Sequence, residues 1–255
     1  MGTDHDWENW GRNDPYFGVL SHESFRAENI SNESRDAFFL SGERHIESLL
    51  DTIRAHFKPQ FTPDRSLDFG CGVGRLLIPL ARRSQHASGV DVSTAMLTEA
   101  HRNCEIHAIN NVKLLRSDDH LSQVRGEYDL IHSHIVFAHI DPRRGQAIIE
   151  ALADRISPDG FIAIQILYSC NASPLIRSLV KLRYKLPLLN TARNLMRGRP
   201  LREPPMQLHV YNLPMVLRTL NRLGFSKTLL TTDKFDNEQF DSVTLIAQRS
   251  PALSA

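Results

Sequence analysis

Residues Leu67-Asp68-Phe69-Gly70-Cys71-Gly72-Val73-Gly74 run from a short apolar pattern into three alternating glycines, and Asp91 closes the next apolar pattern. Glycines let backbone N–H groups approach a ligand, and a carboxylate about 20 residues on accepts hydrogen bonds from both hydroxyls of a ribose. The combination predicts a nucleotide-type pocket. His134 and His139 follow a further strand pattern, at the sheet edge where ligands of open α/β proteins collect. An imidazole there serves either as a general base or as a hydrogen-bonding residue of its loop.

Such residues need a scaffold that brings several strand ends to one edge. From about residue 65 to 166, apolar runs alternate with helical periodicity, the pattern of repeated βα units and a parallel sheet. Strands are predicted over 67–70, 87–92, 112–116, 128–133 and 160–167. Asp141 before Pro142 marks a helix start, because Asp caps free N–H groups and Pro fits the first turn. Ile148, Ile149, Leu152 and Ile156 recur at helical spacing, so this helix is expected to run to about 156, before a Ser157-Pro158-Asp159-Gly160 turn. A helix from about Asn212 puts Leu213, Leu217 and Leu220 on one face and stops at Gly224. Strands over 226–232 and 242–248 follow as an antiparallel edge, with Asp236-Asn237 in the turn between them. The first 60 residues hold one predicted helix, 33–57, after an irregular segment rich in Trp, Asn and Asp.

A chain of 255 residues suits one α/β domain with decorations better than two independent domains. Hydrophobic residues at 41% and charged residues at 23% are ordinary globular usage, which excludes a disordered or fibrous chain. A net charge of +1 gives no global bias toward nucleic acid or an anionic membrane. Cys71, Cys104 and Cys170 are widely spaced without a C-x-x-C pair, which argues against a disulfide framework and a zinc site. The opening Asp4, His5, Asp6 and Glu8 show no secretory signal, and no apolar stretch approaches ~18 residues, so a soluble cytoplasmic protein is expected.

Asp68-Phe69-Gly70-Cys71-Gly72-Val73-Gly74 resembles the first motif of class I S-adenosylmethionine-dependent methyltransferases. Gly89-Val90-Asp91-Val92-Ser93 resembles the acidic motif of that family's second strand, and Ser117-Asp118-Asp119 its adenine-contacting segment. Tyr128-Asp129-Leu130-Ile131 and Ile156-Ser157-Pro158-Asp159-Gly160 are similar to its later strand and turn motifs. The resemblance implies an α/β fold: a Rossmann-like, doubly wound, seven-stranded sheet, mostly parallel, with an antiparallel last strand and a helical cap insertion between strands 5 and 6. It also implies a methyl-donor site. Gly70 and Gly72 would clear the cofactor's path, Gly74 would open the following helix, whose N-terminus would favour the methionyl carboxylate, and Asp68 would meet the methionyl ammonium. Asp91, with Val92 beside it, would hold the ribose, and Met96 would pack on the adenine. Asp118 would accept from the adenine amino group, with the alternative that it caps a helix beginning near His120, and the N–H of Asp119 would serve a ring nitrogen. Ser133 at the fourth strand end and Cys71 between the glycines belong to the same set, Cys71 as a small space filler. A dinucleotide-binding oxidoreductase is the nearest rival. Counted from Gly70, its fingerprint requires a third glycine at position 75, where the chain has Arg75.

The cofactor supplies an activated methyl group, so the protein must chiefly align donor and acceptor. An alcohol or phenol acceptor needs its proton removed, which makes His139 and His134 the candidate catalytic bases. The expected activity is methyl transfer to an oxygen, or else a nitrogen, of a small molecule; a non-catalytic S-adenosylmethionine-binding protein or an NAD(P)-dependent oxidoreductase are the alternatives. Four parts are expected in one domain: a helical cap over 1–60, a cofactor-binding core over 61–167, a basic insertion over 168–210 and a closing helix with two strands over 211–249. The insertion carries Arg177, Lys181, Arg183, Lys185, Arg193, Arg197, Arg199 and Arg202, interleaved with Leu175, Leu179, Leu182 and Leu186. It reads as a lid for an acidic small molecule, as a surface that touches anionic lipid, or as a solvated face. Pro187 interrupts any long helix there and weakens the lipid reading. Basic residues without interleaved aromatics apart from Tyr184 speak against nucleic acid. Trp7, Trp10, Tyr16 and Phe17 either close over the ligands or pack as a cover on the sheet, and Tyr211 carries the same two readings.

Overall fold

A computed structural model describes residues 3–235 and 238–251, which leaves the predicted Asp236-Asn237 turn outside the described residues. Seven strands form one sheet in the order β3-β2-β1-β4-β5-β7-β6. They are β1 (Arg65–Phe69), β2 (His86–Asp91), β3 (Val112–Arg116), β4 (Tyr128–Ser133), β5 (Ile156–Cys170), β6 (Phe225–Phe235) and β7 (Phe240–Arg249). The first five pair in parallel, whereas β7 runs antiparallel to both β5 and β6. The predicted closing pair is therefore present, but β7 is interior and β6 alone forms the edge.

The period of two along the strands decides which helix each residue meets. Along β5, Ile162 and Ile164 join a core with Ile148, Ile149 and Leu152 of α6 (Pro142–Ala153) and with Val216 and Leu220 of α9 (Leu213–Arg222). The alternating Phe161 and Ala163 meet Ile46, Leu50 and Ile53 of α3 (Asn32–His56) and Leu80 of α4 (Leu77–Arg82). Each fully buried Leu or Ile contributes roughly 1.5–3 kcal/mol. The helix expected to reach residue 156 ends at Ala153, because Ile156 already pairs with Tyr128. Ser157 to Gly160 then bulge out before Phe161 resumes pairing with Leu130, so the expected turn lies inside β5.

The N-terminal segment departs most from expectation. Where an irregular stretch was predicted, α1 (Thr3–Asn13) and α2 (Pro15–Val19) form. Asp4 and Asp6 in the first turn of α1 and Arg12 in its last suit the helix dipole, and Arg12 pairs with Glu8 one turn back. Tertiary burial of Trp10, Tyr16 and Phe17 against Met96 of α5 (Thr94–Ile106) fixes the segment. The insertion is helical as expected and breaks at Pro187, giving α7 (Pro174–Lys185) and α8 (Pro187–Met196). Arg26 ties it to the N-terminal segment, donating to Asp14 at 3.0 Å and to Glu203 at 2.7 Å while lying over the Phe17 ring.

Candidate active site

β1 and β2 pair in register, Phe69 opposite Val90, so the glycine loop and Asp91 emerge side by side at the carboxyl edge of the sheet. Gly70 has φ +75° and Gly72 φ +51°, backbone conformations that favour glycine. A Cβ on Gly70 would stand 2.3 Å from Val136 Cγ2, and one on Gly72 2.6 Å from Val19 Cγ2. Both glycines line a cavity with Val90, Asp91, Val92 and Met96. Asp91 Oδ2 accepts from the Gly72 N–H and Oδ1 from the Ser93 N–H, each at 2.9 Å. The carboxylate thus fixes the loop while facing the cavity. Burial pushes its carboxyl up to about 6, against the hydrogen bonds from Ser93 and Gly72.

The roof of this cavity comes from the N-terminal segment. Thr3, Asp4, Trp7, Gly18 and Val19 line it, as do His134, His139 and Arg144 from the loop after β4 and from α6. Arg144 donates to both carboxylate oxygens of Asp4, at 2.6 and 2.9 Å, and to Asp119 at 2.5 Å, which latches α1 across the loop after β3. Sequence reasoning missed Arg144 and Asp4. A usable signal was present, since a cation in the first turn of α6 opposes the helix dipole unless carboxylates compensate it.

Other predicted residues lie apart from the cavity. Gly74, with φ +92°, sits behind it against Ile78 and Ala100. Ser133 is buried and donates to the Phe69 carbonyl. Cys71 packs with Leu77, Ala81 and Ala87, and burial raises its thiol well above the ordinary range, which fits a space filler. Asp118 spends its carboxylate on its own loop, accepting from the N–H groups of His120 and Ser122 and from the Ser122 hydroxyl. Tyr211 is buried below the site with its hydroxyl on the Ile140 carbonyl. Tyr16 packs against Phe38 and bonds Glu99 and Asn103, so it belongs to the cover on the sheet.

Asp68 faces away from the cavity into a histidine cluster. Its Oδ1 lies 2.9 Å from His132 Nδ1, and His132 Nε2 lies 3.0 Å from His45 Nε2 of α3. His45 in turn packs against His134 with ring centroids 4.2 Å apart. Burial, then the neighbouring His132, lowers His45 to about 3, and burial with His45 and His132 holds His134 well below its ordinary value. Arg75 is buried beside them with an unpartnered Nε.

His139 sits between two cavities. On one side is the glycine-lined cavity, and on the other a larger recess lined by Trp10, Phe17, Met206, Leu208 and the arginines of the insertion. Its Nδ1 is 2.8 Å from the Gln207 carbonyl, so Nδ1 carries the proton and Nε2 presents a lone pair. Trp7 meets its ring edge-on, and burial pulls it down to about 4. In the recess, Glu203 is occupied by Arg26 and Arg199. Among the described residues no carboxylate pairs with Arg183, Arg193 or Arg197, and Arg183 Nε is buried without a partner. Burial followed by Arg183, Arg197 and Arg199 pushes Arg193 below its ordinary value.

Residues 67–160 match a family described as a methyltransferase domain. Over 131 residues the chain is 29% identical to a ubiquinone biosynthesis O-methyltransferase of Hydrogenovibrio crunogenus, covering 48% of this chain and 52% of the relative. It is 37% identical over 87 residues to a magnesium-protoporphyrin O-methyltransferase of Synechocystis, 34% of this chain and 37% of the relative. A 23S rRNA uracil C5-methyltransferase of Aeromonas hydrophila is 31% identical over 154 residues, 56% of this chain and 31% of the relative. The chain spans about half or less of the length of the curated relatives it matches. Among solved structures, magnesium protoporphyrin IX methyltransferase from Synechocystis with bound S-adenosylmethionine aligns with TM-score 0.60 at 19% identity, over 98% of both chains. Residues 67–160 thus match a methyltransferase domain, and the sheet of the whole chain has the fold of the solved methyltransferase with which it aligns.

Proposed function

We propose that the protein transfers a methyl group from S-adenosylmethionine to an oxygen, or else a nitrogen, of a small acidic molecule. One observation carries the reading: His139 lines both the glycine cavity and the basic recess. The residues fit the donor, since Gly70 and Gly72 line the cavity without side chains of their own and Asp91 faces it. When bound, the donor supplies a sulfonium-activated methyl group. Asp91 accepts from the ribose hydroxyls, Met96 and Val92 pack on the adenine side, and α1 with Trp7 keeps water out. Asp68 acts on the methionyl end only by holding the β1 end in place through His132.

The acceptor occupies the recess, with its anionic group against Arg193 and Arg197 and its apolar body along Phe17 and Met206. His139, uncharged at neutral pH with Nε2 free, takes the proton from the acceptor oxygen. A base held so low suits an acidic phenol over an alkyl alcohol, whereas a carboxylate acceptor is already ionised and needs no base. His134 is the lesser candidate because it packs into the histidine cluster.

The test is methyl transfer from S-adenosylmethionine to a panel of phenolic and carboxylated small molecules. His139→Ala is expected to lower kcat about 100-fold with S-adenosylhomocysteine affinity unchanged. Undiminished turnover removes His139 as the base.

A further inference from the structure

The insertion presents a surface that the methyl-transfer reading does not use. Among the described residues, ten of the fourteen exposed large apolar side chains lie between Leu175 and Leu201. On α7, Leu175, Leu179 and Leu182 recur at spacings of four and three, so they form one stripe, and the stripe is exposed, as is Leu186 just after the helix. On α8, Leu188 is 83% and Met196 88% exposed. The inner side of α8 is accounted for by Asn190 and Asn194, whose amides donate to the Glu203 carbonyl. Charge follows the same segment. Residues 160–202 hold eight Lys and Arg and no Asp or Glu.

An apolar face this concentrated marks an interaction site, and an amphipathic helix ringed by cations fits the boundary between anionic headgroups and acyl chains. A protein partner with an acidic groove would satisfy the charge. It would leave no reason for two short consecutive helices, joined at Pro187, both to leave their leucines uncovered. Insertion into a lipid surface needs amphipathic faces and does not need length, so the break at Pro187 is no obstacle.

We propose that the α7–α8 hairpin docks the protein on an anionic lipid surface. Leu179 and Leu188 enter the acyl boundary, and Arg177, exposed and without an ion pair among the described residues, meets headgroup phosphates. Docking is peripheral, since no described helix is long and apolar enough to cross a membrane.

Flotation of the full chain with phosphatidylglycerol–phosphatidylcholine vesicles tests this. The wild type is expected to float with these vesicles and to be released as salt rises, with weak binding to pure phosphatidylcholine. Arg177→Glu weakens binding at least about fivefold, and Leu179→Glu with Leu188→Glu about tenfold or more. S-adenosylhomocysteine binding by the same variants reports that the fold is intact and is read separately from docking. Absence of flotation at low salt overturns the proposal. Equal flotation of the leucine variants also overturns it, as does sedimentation of the wild type as a dimer that Leu188→Glu dissociates, which would assign the face to a second copy.

Discussion

The Nε2 atoms of His45 and His132 face each other at 3.0 Å, which joins helix α3 to the buried Asp68–His132 pair at the end of β1. His132 Nδ1 faces the Asp68 carboxylate, and at 3.0 Å one of the two Nε2 atoms donates while the other accepts. The contact links the helical cover to the strand that ends in the glycine loop. His45→Ala leaves a buried ring nitrogen of His132 unpaired and is expected to cost about 1–3 kcal/mol of stability. His45→Gln, whose amide can still donate, is expected to recover most of it. Thermal melts of both variants decide the matter, and equal melting of Ala and Gln variants would deny the hydrogen bond its role.

Arg144 holds α1 over the cavity through Asp4 and the loop after β3 through Asp119. Removing it releases the roof from both anchors. Because these pairs are partly exposed, the effect on global stability is small, and the loss appears in ligand retention. Arg144→Ala is expected to raise the Kd for S-adenosylhomocysteine about fivefold, mostly through faster dissociation. Stopped-flow release measures it; an unchanged off-rate would mean that the roof opens independently of this latch.

Much of the fold and some of the residues that line the cavity were legible in the sequence. That the glycine loop, Asp91 and Met96 meet at one cavity was readable because their placement depends on local backbone shape and on position within one βα unit. The roof was not. Thr3 to Asn13 carries polar residues that look irregular in isolation, and only contact with Met96 and the Arg144 bridge makes it a helix over the cavity. His45 was equally silent, since nothing local distinguishes a histidine on a long helix until β4 places His132 against it. Asp118 looked available for adenine because a strand-end aspartate is equally good as a ligand or as a cap, and here its own loop captured it.

Asp91 gives the account its pH dependence. Its carboxyl is raised to about 6, above the ordinary 3.8, so the ligand-free fold holds this proton more tightly than the unfolded chain does. Between those values, stability contributed by this group is present at the lower pH and is lost as pH rises. The ribose binding proposed for Asp91 has the opposite sign, because two hydroxyl donors call for the ionised form. Affinity for S-adenosylhomocysteine is therefore expected to fall below pH 6, by up to about tenfold per unit. A flat binding curve between pH 5 and pH 7.5 would place the ribose elsewhere.

Calorimetric titration with S-adenosylmethionine, wild type beside Asp91→Ala, bears most directly on the donor site. One saturable site is expected in the wild type, with a loss of about 100-fold in a folded Asp91→Ala variant, since the two hydrogen bonds proposed to a charged group disappear. No binding by the wild type, or equal binding by the variant, would contradict it.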